Sequence, residues 1–114
     1  MSISIGEMFC GDTDGALLPV SPAAVLIGTT VRAKLWEGAI GSPSFVIRKP
    51  HEALTIDTST GIVEIPLLEA DWAGVPQRLR SKRFVLTIEL ELRRDGTVKT
   101  LEHRTLTVKP EGQR

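Results

Sequence analysis

The clearest pattern in the chain is an alternation of apolar and polar residues between positions 84 and 93. Five large apolar residues fall at even positions: Phe84, Leu86, Ile88, Leu90 and Leu92. Alternate side chains of a strand point to opposite faces, so this segment predicts a long strand with one buried face and one solvated face. Asp95-Gly96 follows, and this dipeptide favours the tight turn of a β-hairpin.

Shorter segments of the same kind predict further strands. They are 1–9, Thr29–Glu37, Phe45–Arg48, Leu54–Asp57, Ile62–Ile65 and Val98–Lys109. The Ser59-Thr60-Gly61 turn predicts that the Leu54 and Ile62 segments form a hairpin. Residues 17–25 are apolar, but Pro19 and Pro22 cannot donate to a ladder, so we expect a loop or a sheet edge there.

Three segments interrupt the period of two. Gly38–Ser44 is rich in glycine and proline and is predicted to be a connector. Leu68–Trp72 predicts a short helical turn near residues 68–73, with Trp72 closing one end of the core. The apolar parity changes between Leu101 and Leu106, which predicts a β-bulge near residues 103–105.

These elements predict an all-β protein, an immunoglobulin-like antiparallel β-sandwich of about seven strands with that one helical turn. We expect a single domain over residues 1–109 and a flexible C-terminal tail at residues 110–114. The length of 114 residues and the apolar fraction of 41% are sufficient for one core. The single cysteine, Cys10, allows no intramolecular disulfide, which is compatible with a reducing cytoplasm.

No motif in the sequence predicts a catalytic, cofactor or metal site. His51 and His103 lack metal-ligand spacing and are interpreted as surface residues, and Cys10 as a small apolar side chain. Asp57 and Glu64 flank one hairpin and could form a carboxylate pair, although solvated charges are the simpler interpretation. We therefore expect no enzyme activity, no cofactor and no metal. No apolar run is long enough for a membrane span and no secretory signal is visible, so no membrane association is expected.

Charge is unevenly distributed along a chain whose formal net charge is zero. Residues 1–77 carry four basic and nine acidic side chains, a net charge of −5, and residues 78–114 carry ten and five, a net charge of +5. This asymmetry suits head-to-tail self-association. The densest basic run is Arg78, Arg80, Lys82 and Arg83. It contains no aromatic residue to stack on bases, so we expect a solvated loop and no nucleic-acid binding, and we retain the four side chains as a candidate protein interface.

Trp36 lies on the polar parity of its predicted strand. An exposed tryptophan on a sheet face can anchor a protein partner, and Trp36 is therefore the second candidate interface. Two other interpretations are open: the side chain could lie under a loop, or the strand could have the opposite register and direct Trp36 into the core.

Several short segments resemble small immunoglobulin-like proteins of tailed bacteriophages and prophages, including tail and baseplate accessory domains. They are Gly11–Thr13, Thr29–Leu35, Ile56-Asp57, Thr60–Ile65, Leu68–Asp71, Thr87–Leu90, Arg94–Thr97 and Leu106–Val108. In that family a Gly-x-Tyr step often precedes the long strand, whereas this chain has Ser81–Phe84 there. The resemblance implies a structural or assembly role in the tail and provides no catalytic residues.

The function expected from these observations is a non-catalytic structural or assembly module of a phage or prophage virion. Its expected partners are other phage structural proteins, or further copies of itself. Its expected location is the virion, after assembly in the host cytoplasm. The alternative is a small ligand-binding module, for example one that recognises carbohydrate through Trp36 or Trp72. The scarcity of aromatic residues, 4% of the chain with no tyrosine, weighs against that alternative.

Overall fold

Two β-sheets enclose one hydrophobic core in this computed structural model, which describes residues 3–39 and 42–110. The nine strands of these residues are β1 (Ile3–Phe9), β2 (Ala16–Pro19), β3 (Thr30–Ala39), β4 (Ser42–Lys49), β5 (Thr55–Asp57), β6 (Ile62–Ile65), β7 (Phe84–Arg94), β8 (Thr97–Thr100) and β9 (Arg104–Lys109). Two short helices, α1 (Glu69–Ala73) and α2 (Gln77–Arg80), connect β6 to β7, and 3-10 turns occur at Ala23–Leu26 and His51–Ala53. Most of the predicted tail, residues 111–114, lies outside the described residues.

The strand order confirms the prediction of an all-β, immunoglobulin-like sandwich. The larger sheet has the order β1-β9-β7-β3-β4, with β8 also paired to β7, and the smaller sheet has the order β2-β6-β5. In immunoglobulin nomenclature β2, β6 and β5 occupy the positions of strands B, E and D. Strands β9, β7, β3 and β4 occupy the positions of G, F, C and C′.

The long strand β7 has the predicted faces. Phe84, Leu86, Ile88, Leu90 and Leu92 are all buried in the core. The turn after β7 is also as predicted, because Asp95 and Gly96 have φ angles of 49° and 79° and so form the left-handed pair that a two-residue hairpin requires. Strand β7 lies between β3 and β9, so its alternation determines which residues of these two neighbours face the core.

The predicted phase change in the last strand is present, but it is a break rather than a bulge within one strand. Strand β8 pairs with the end of β7, with Glu91 opposite Thr100, and β9 pairs with its beginning, with Ile88 opposite Arg104. Two residues of β7 therefore face the three residues 101–103. The extra residue moves Leu106 and Val108 onto the core parity, which is why both are buried.

Three expectations about the strands are wrong. The described residues form nine strands rather than about seven, partly because the break at residues 101–103 divides the last strand. The sandwich is not antiparallel throughout, because β1 lies parallel to β9. The predicted connector Gly38–Ser44 is largely strand: Gly38 pairs with Pro43 at the end of the β3–β4 ladder. Residues 40 and 41 of that connector lie outside the described residues.

The helical turn was predicted correctly, and a second one was not predicted. In α1, Trp72 is only 2% exposed and closes the core as expected, and its indole Nε1–H donates to the carbonyl oxygen of Asp12 at 2.6 Å. The segment predicted to be a basic loop contains α2, whose Leu79 is buried. One apolar side chain among basic neighbours gives too short a pattern to indicate a helix of four residues.

Candidate functional site

Trp36 is not the exposed anchor that its parity suggested. The residue does lie on the outer face of the larger sheet, opposite to Val31, Ala33 and Leu35, but only 4% of its surface is exposed. The open alternative that Trp36 lies beneath a loop is the one that the structure supports, because His103 of the 101–103 break covers it. The two rings meet edge to face, with centroids 5.2 Å apart.

A small polar cluster holds this cover in place. His103 Nε2 lies 3.1 Å from Glu89 Oε1, and Lys34 Nζ lies 5.2 Å from the centroid of the Trp36 ring. His103, interpreted from sequence as a surface residue, is half-buried. The cluster stabilises the outer face of the sheet and leaves Trp36 without an exposed ring face on which a sugar or a protein side chain could stack.

At least two of the four basic residues of the predicted interface contact other parts of the protein. Arg80 is half-buried, and its guanidinium donates to the carbonyl oxygens of Trp72 and Val75, so it stabilises the end of α1. Arg83 is exposed and its Nη1 lies 3.8 Å from Glu7 Oε2 of β1. The Arg78 and Lys82 side chains are exposed. Arg80 therefore has a structural role, whereas Arg78, Lys82 and Arg83 are exposed.

The most open backbone in the described residues is the outer edge of β4. This eight-residue strand terminates the larger sheet and pairs only with β3. Its centre is apolar on both faces: Phe45 and Ile47 pack on the core side and Val46 pairs with Trp36 on the outer side. A strand paired on one side presents a row of backbone donors and acceptors to which another chain can add.

The other edges are shorter or interrupted. Strand β2 has four residues and ends at Pro19, and β5 has three. Strand β1 is of similar length to β4, but its register shifts between Ser4 and Glu7, where Gly6 has a φ of 124°. Short strands, prolines and bulges are the features that protect natural edges from unwanted pairing. Strand β4 also has such features, because its register with β3 shifts between Phe45 and Pro43 and Pro50 follows its last residue, but its pairing is regular from Phe45 to Lys49.

A buried ion pair fixes the end of β4. Lys49 is on the core side and only 8% exposed, and its Nζ lies 2.6 Å from Asp71 Oδ2 of α1. The same oxygen accepts the Leu68 N–H at 2.8 Å. Strand β4 is therefore anchored to the body of the protein on its core side, while its outer edge has no strand partner.

The outer face beside β4 carries a groove with an uneven charge pattern. Its volume is about 390 Å³, and its lining includes Arg32, Lys34, Arg48, Pro50, Glu89 and Glu91. The strand registers place Arg48 directly opposite Lys34, and Lys34 directly opposite Glu89. Like charges directly opposite each other destabilise a sheet, so the Arg48–Lys34 pair is a feature of the fold that packing does not explain.

The two acids of the groove have other partners. Glu91 Oε1 accepts a hydrogen bond from Arg93 Nε at 2.7 Å, and this bond is the main reason that the pKa of Glu91 is lowered, with smaller contributions from the charges of Arg93 and Arg32. Glu89 contacts His103. Arg32, Lys34 and Arg48 thus make no ion pair with any described residue, and the groove is most positive on its β4 side.

The remaining polar candidates have structural roles. The Val31 N–H donates to His51 Nδ1 at 2.9 Å, so this histidine links its turn to β3 and is not simply a surface residue. Cys10 is completely buried, consistent with its interpretation as an apolar side chain. Within residues 3–39 and 42–110, no group of three or more His, Cys, Asp or Glu side chains could hold a metal ion.

The carboxylate pair considered from the sequence is not paired across its hairpin. Asp57 lies opposite Ile62, and Glu64 lies opposite Thr55. Asp57 Oδ1 instead accepts bonds from the Ser59 hydroxyl at 2.6 Å and the Ser59 N–H at 2.9 Å. These bonds lower the pKa of Asp57 below its usual value of 3.8, which favours the charged form that the turn needs.

Fold and surface together define an immunoglobulin-like sandwich domain with one open, apolar-centred edge strand beside a basic groove. No protein-family model and no curated protein sequence matches the chain. None of the helices in the described part of the chain has the length and apolar character needed to cross a membrane.

Proposed function

We propose that this protein is a non-catalytic assembly module of a phage or prophage virion, acting as a tail or baseplate accessory component. It works by protein–protein contact, in which an extended segment of another protein of the particle adds to the larger sheet at β4. The proposed location is therefore the virion, after folding and assembly in the host cytoplasm.

The observation that carries this proposal is the edge of β4. Strand β4 is paired on one side only and its ladder with β3 is regular from Phe45 to Lys49, with an apolar centre of Phe45, Val46 and Ile47. Added strands gain affinity from main-chain hydrogen bonds and specificity from the side chains at alternate positions. The resemblance to phage tail and baseplate domains supports the class of partner, and the strand order supports the fold on which that resemblance depends.

Co-expression with the proteins encoded by neighbouring genes tests the proposal. We expect one of them to co-purify with this chain as a stoichiometric complex, measured by size-exclusion chromatography with light scattering. Val46→Lys should abolish the complex, because it places a charge in the centre of the edge. Val85→Lys is the matched control: Val85 lies on the same outer face but away from the β4 edge, where it pairs with Thr107 of β9.

Circular dichroism and thermal melts of both variants establish that each remains folded. A chain that stays monomeric at high concentration and binds no neighbouring gene product contradicts the proposal. A complex that survives Val46→Lys places the contact elsewhere on the protein. Self-association lost in Val46→Lys would show that the edge is used, but by a second copy rather than by another protein.

Carbohydrate binding, the alternative function, has lost its main candidate residue. It depended on an exposed aromatic face, and both Trp36 and Trp72 are buried. No other observation in the described residues favours it.

A further inference from the structure

We infer that the segment bound by β4 is acidic, with a carboxylate directly opposite Arg48 on the outer face of the sheet. This inference rests on the proposed function and adds the chemistry of the partner to it. The partner is thus an extended segment with a carboxylate on its outer face and apolar side chains on its core-facing side.

The first step is the position of Arg48. Arg48 is exposed on the outer face of β4, and its cross-strand neighbour on the same face is Lys34 of β3. A strand added to the open edge of β4 would place one residue on the other side of Arg48, about 5 Å away between Cβ atoms. Arg48 would then lie between Lys34 and that residue. A carboxylate there would offset the repulsion between the two cations.

The second step is that neither acid of the groove lies beside Arg48. Glu89 and Glu91 lie on β7, opposite Lys34 and Arg32, so that β3 separates them from Arg48, and they also contact His103 and Arg93. The positive side of the groove therefore faces the open edge, where a partner would bind. Complementary charge at such a site affects partner choice and association rate more than it affects total affinity.

The third step is that a second β4 cannot supply the carboxylate. Residues Ser42–Lys49 contain no Asp or Glu and carry two basic side chains. Pairing of β4 with itself would leave the Arg48–Lys34 repulsion uncompensated. The charge pattern therefore favours a different, acidic segment over a second copy of this edge.

The faces of the added strand can also be assigned. Positions that alternate with the carboxylate would lie on the core side, level with Phe45 and Ile47, which are packed against the apolar core. Apolar side chains are expected there. The combination of an acidic outer face with an apolar inner face distinguishes this partner from a merely acidic peptide.

A library of random 12-residue peptides displayed on yeast, sorted against the labelled protein, tests the inference. We expect the enriched peptides to carry an Asp or Glu at one outer-face position and apolar residues at the intervening, core-side positions. Binding of the best synthetic peptide, measured by fluorescence anisotropy, should weaken as salt concentration rises. Val46→Asp should abolish this binding, because it places a carboxylate next to the acidic side chain of the peptide.

Charge reversal provides the sharper measurement. Arg48→Glu should weaken the binding of the acidic peptide by at least about tenfold, because it places a carboxylate opposite the carboxylate of the peptide. The same variant should select basic peptides from the library. Its fold should not suffer, because the substitution replaces a repulsive pair with Lys34 by an attractive one. Arg94→Glu, exposed at the far end of β7, makes the same change in net charge and should leave binding unchanged.

Each failure has its own meaning. The inference would be overturned if the binding of the enriched peptides depends on Val46 but the peptides show no acidic bias and still bind Arg48→Glu. The proposed function would then still stand. A library that yields no binder also overturns the inference, while co-purification remains the separate test of the function. Self-association of Arg48→Ser, without acidic binders, would show that Arg48 only protects the edge from pairing.

Discussion

Replacing Ile88 by aspartate tests the assignment of faces on β7, on which the position of every other strand depends. Ile88 is completely buried at the centre of β7, with Leu35 of β3 opposite it. An aspartate there removes an apolar side chain from the core and places a carboxyl group among apolar neighbours.

The expected loss of stability is comparable to the whole free energy of unfolding of the protein. Truncating a buried isoleucine costs about 2–5 kcal/mol. Keeping the introduced carboxyl neutral at pH 7, about three units above its ordinary pKa, costs about 4 kcal/mol more. The combined loss of about 6–9 kcal/mol compares with a free energy of unfolding of about 6–17 kcal/mol for a chain of 114 residues. We therefore expect Ile88→Asp to be largely unfolded at pH 7.

The loss should depend on pH in a defined direction. Burial raises the pKa of the introduced carboxyl in the folded state, so the folded protein retains a proton that the unfolded chain releases above about pH 4. The destabilisation relative to wild type should therefore shrink by about 1.4 kcal/mol for each unit of acidification between pH 7 and pH 4. Ile88→Asn is the matched control, since its amide has similar size and does not titrate in this range.

Urea denaturation followed by circular dichroism, at several pH values, measures these differences. Val85→Asp provides a second control, because Val85 lies three residues away on the opposite face and is 46% exposed. Equal losses from Ile88→Asp and Val85→Asp would refute the assignment of faces. A loss that does not change with pH would refute the claim that the site is dry.

Three further predictions follow from other contacts. Asp71→Ala should lower the free energy of unfolding, measured by urea denaturation, by about 3–5 kcal/mol, because it leaves the buried Lys49 ammonium unpaired. Adding Lys49→Met should restore most of that stability. No recovery in the double variant would contradict the role of the ion pair. Trp36→Ala should cost about 3–5 kcal/mol in the same assay, whereas a loss below about 1 kcal/mol would indicate an exposed ring. Because the pKa of Asp57 is lowered in the folded state, its charged form stabilises the fold at pH values above the usual pKa of 3.8, and this contribution is lost as pH falls through the lowered pKa. The stability of Asp57→Asn should therefore differ most from that of wild type above pH 5 and converge with it on acidification. A difference that stays constant with pH would show that the bonds to Ser59 do not favour the charged form.

Features encoded by neighbouring residues were predictable from the sequence. The alternation of residues 84–92 depends only on the period of a strand, and the Asp95-Gly96 turn only on local φ preferences. The helical turn around Trp72 and the hairpin about Ser59-Thr60-Gly61 are local in the same sense. Each of these elements is present where the sequence predicts it.

Features that depend on distant partners were not predictable. The burial of Trp36 needs His103, which lies 67 positions along the chain and reaches it only because of the extra residue at 101–103. The parallel pairing of β1 with β9 joins the two ends of the chain. The candidate site was missed for the same reason: Arg48 and Lys34 are ordinary exposed-parity cations until the register places them opposite each other.

Hydrogen exchange of the backbone amides, with and without the bound partner segment, tests most directly whether β4 is the binding edge. We expect amides within Phe45–Arg48 to gain protection on binding, because those directed away from β3 would acquire partners in the added strand. Amides of β2 and of residues 78–83 should be unchanged. Protection gained at residues 78–83 while β4 continues to exchange would contradict strand addition and return the interface to the basic run.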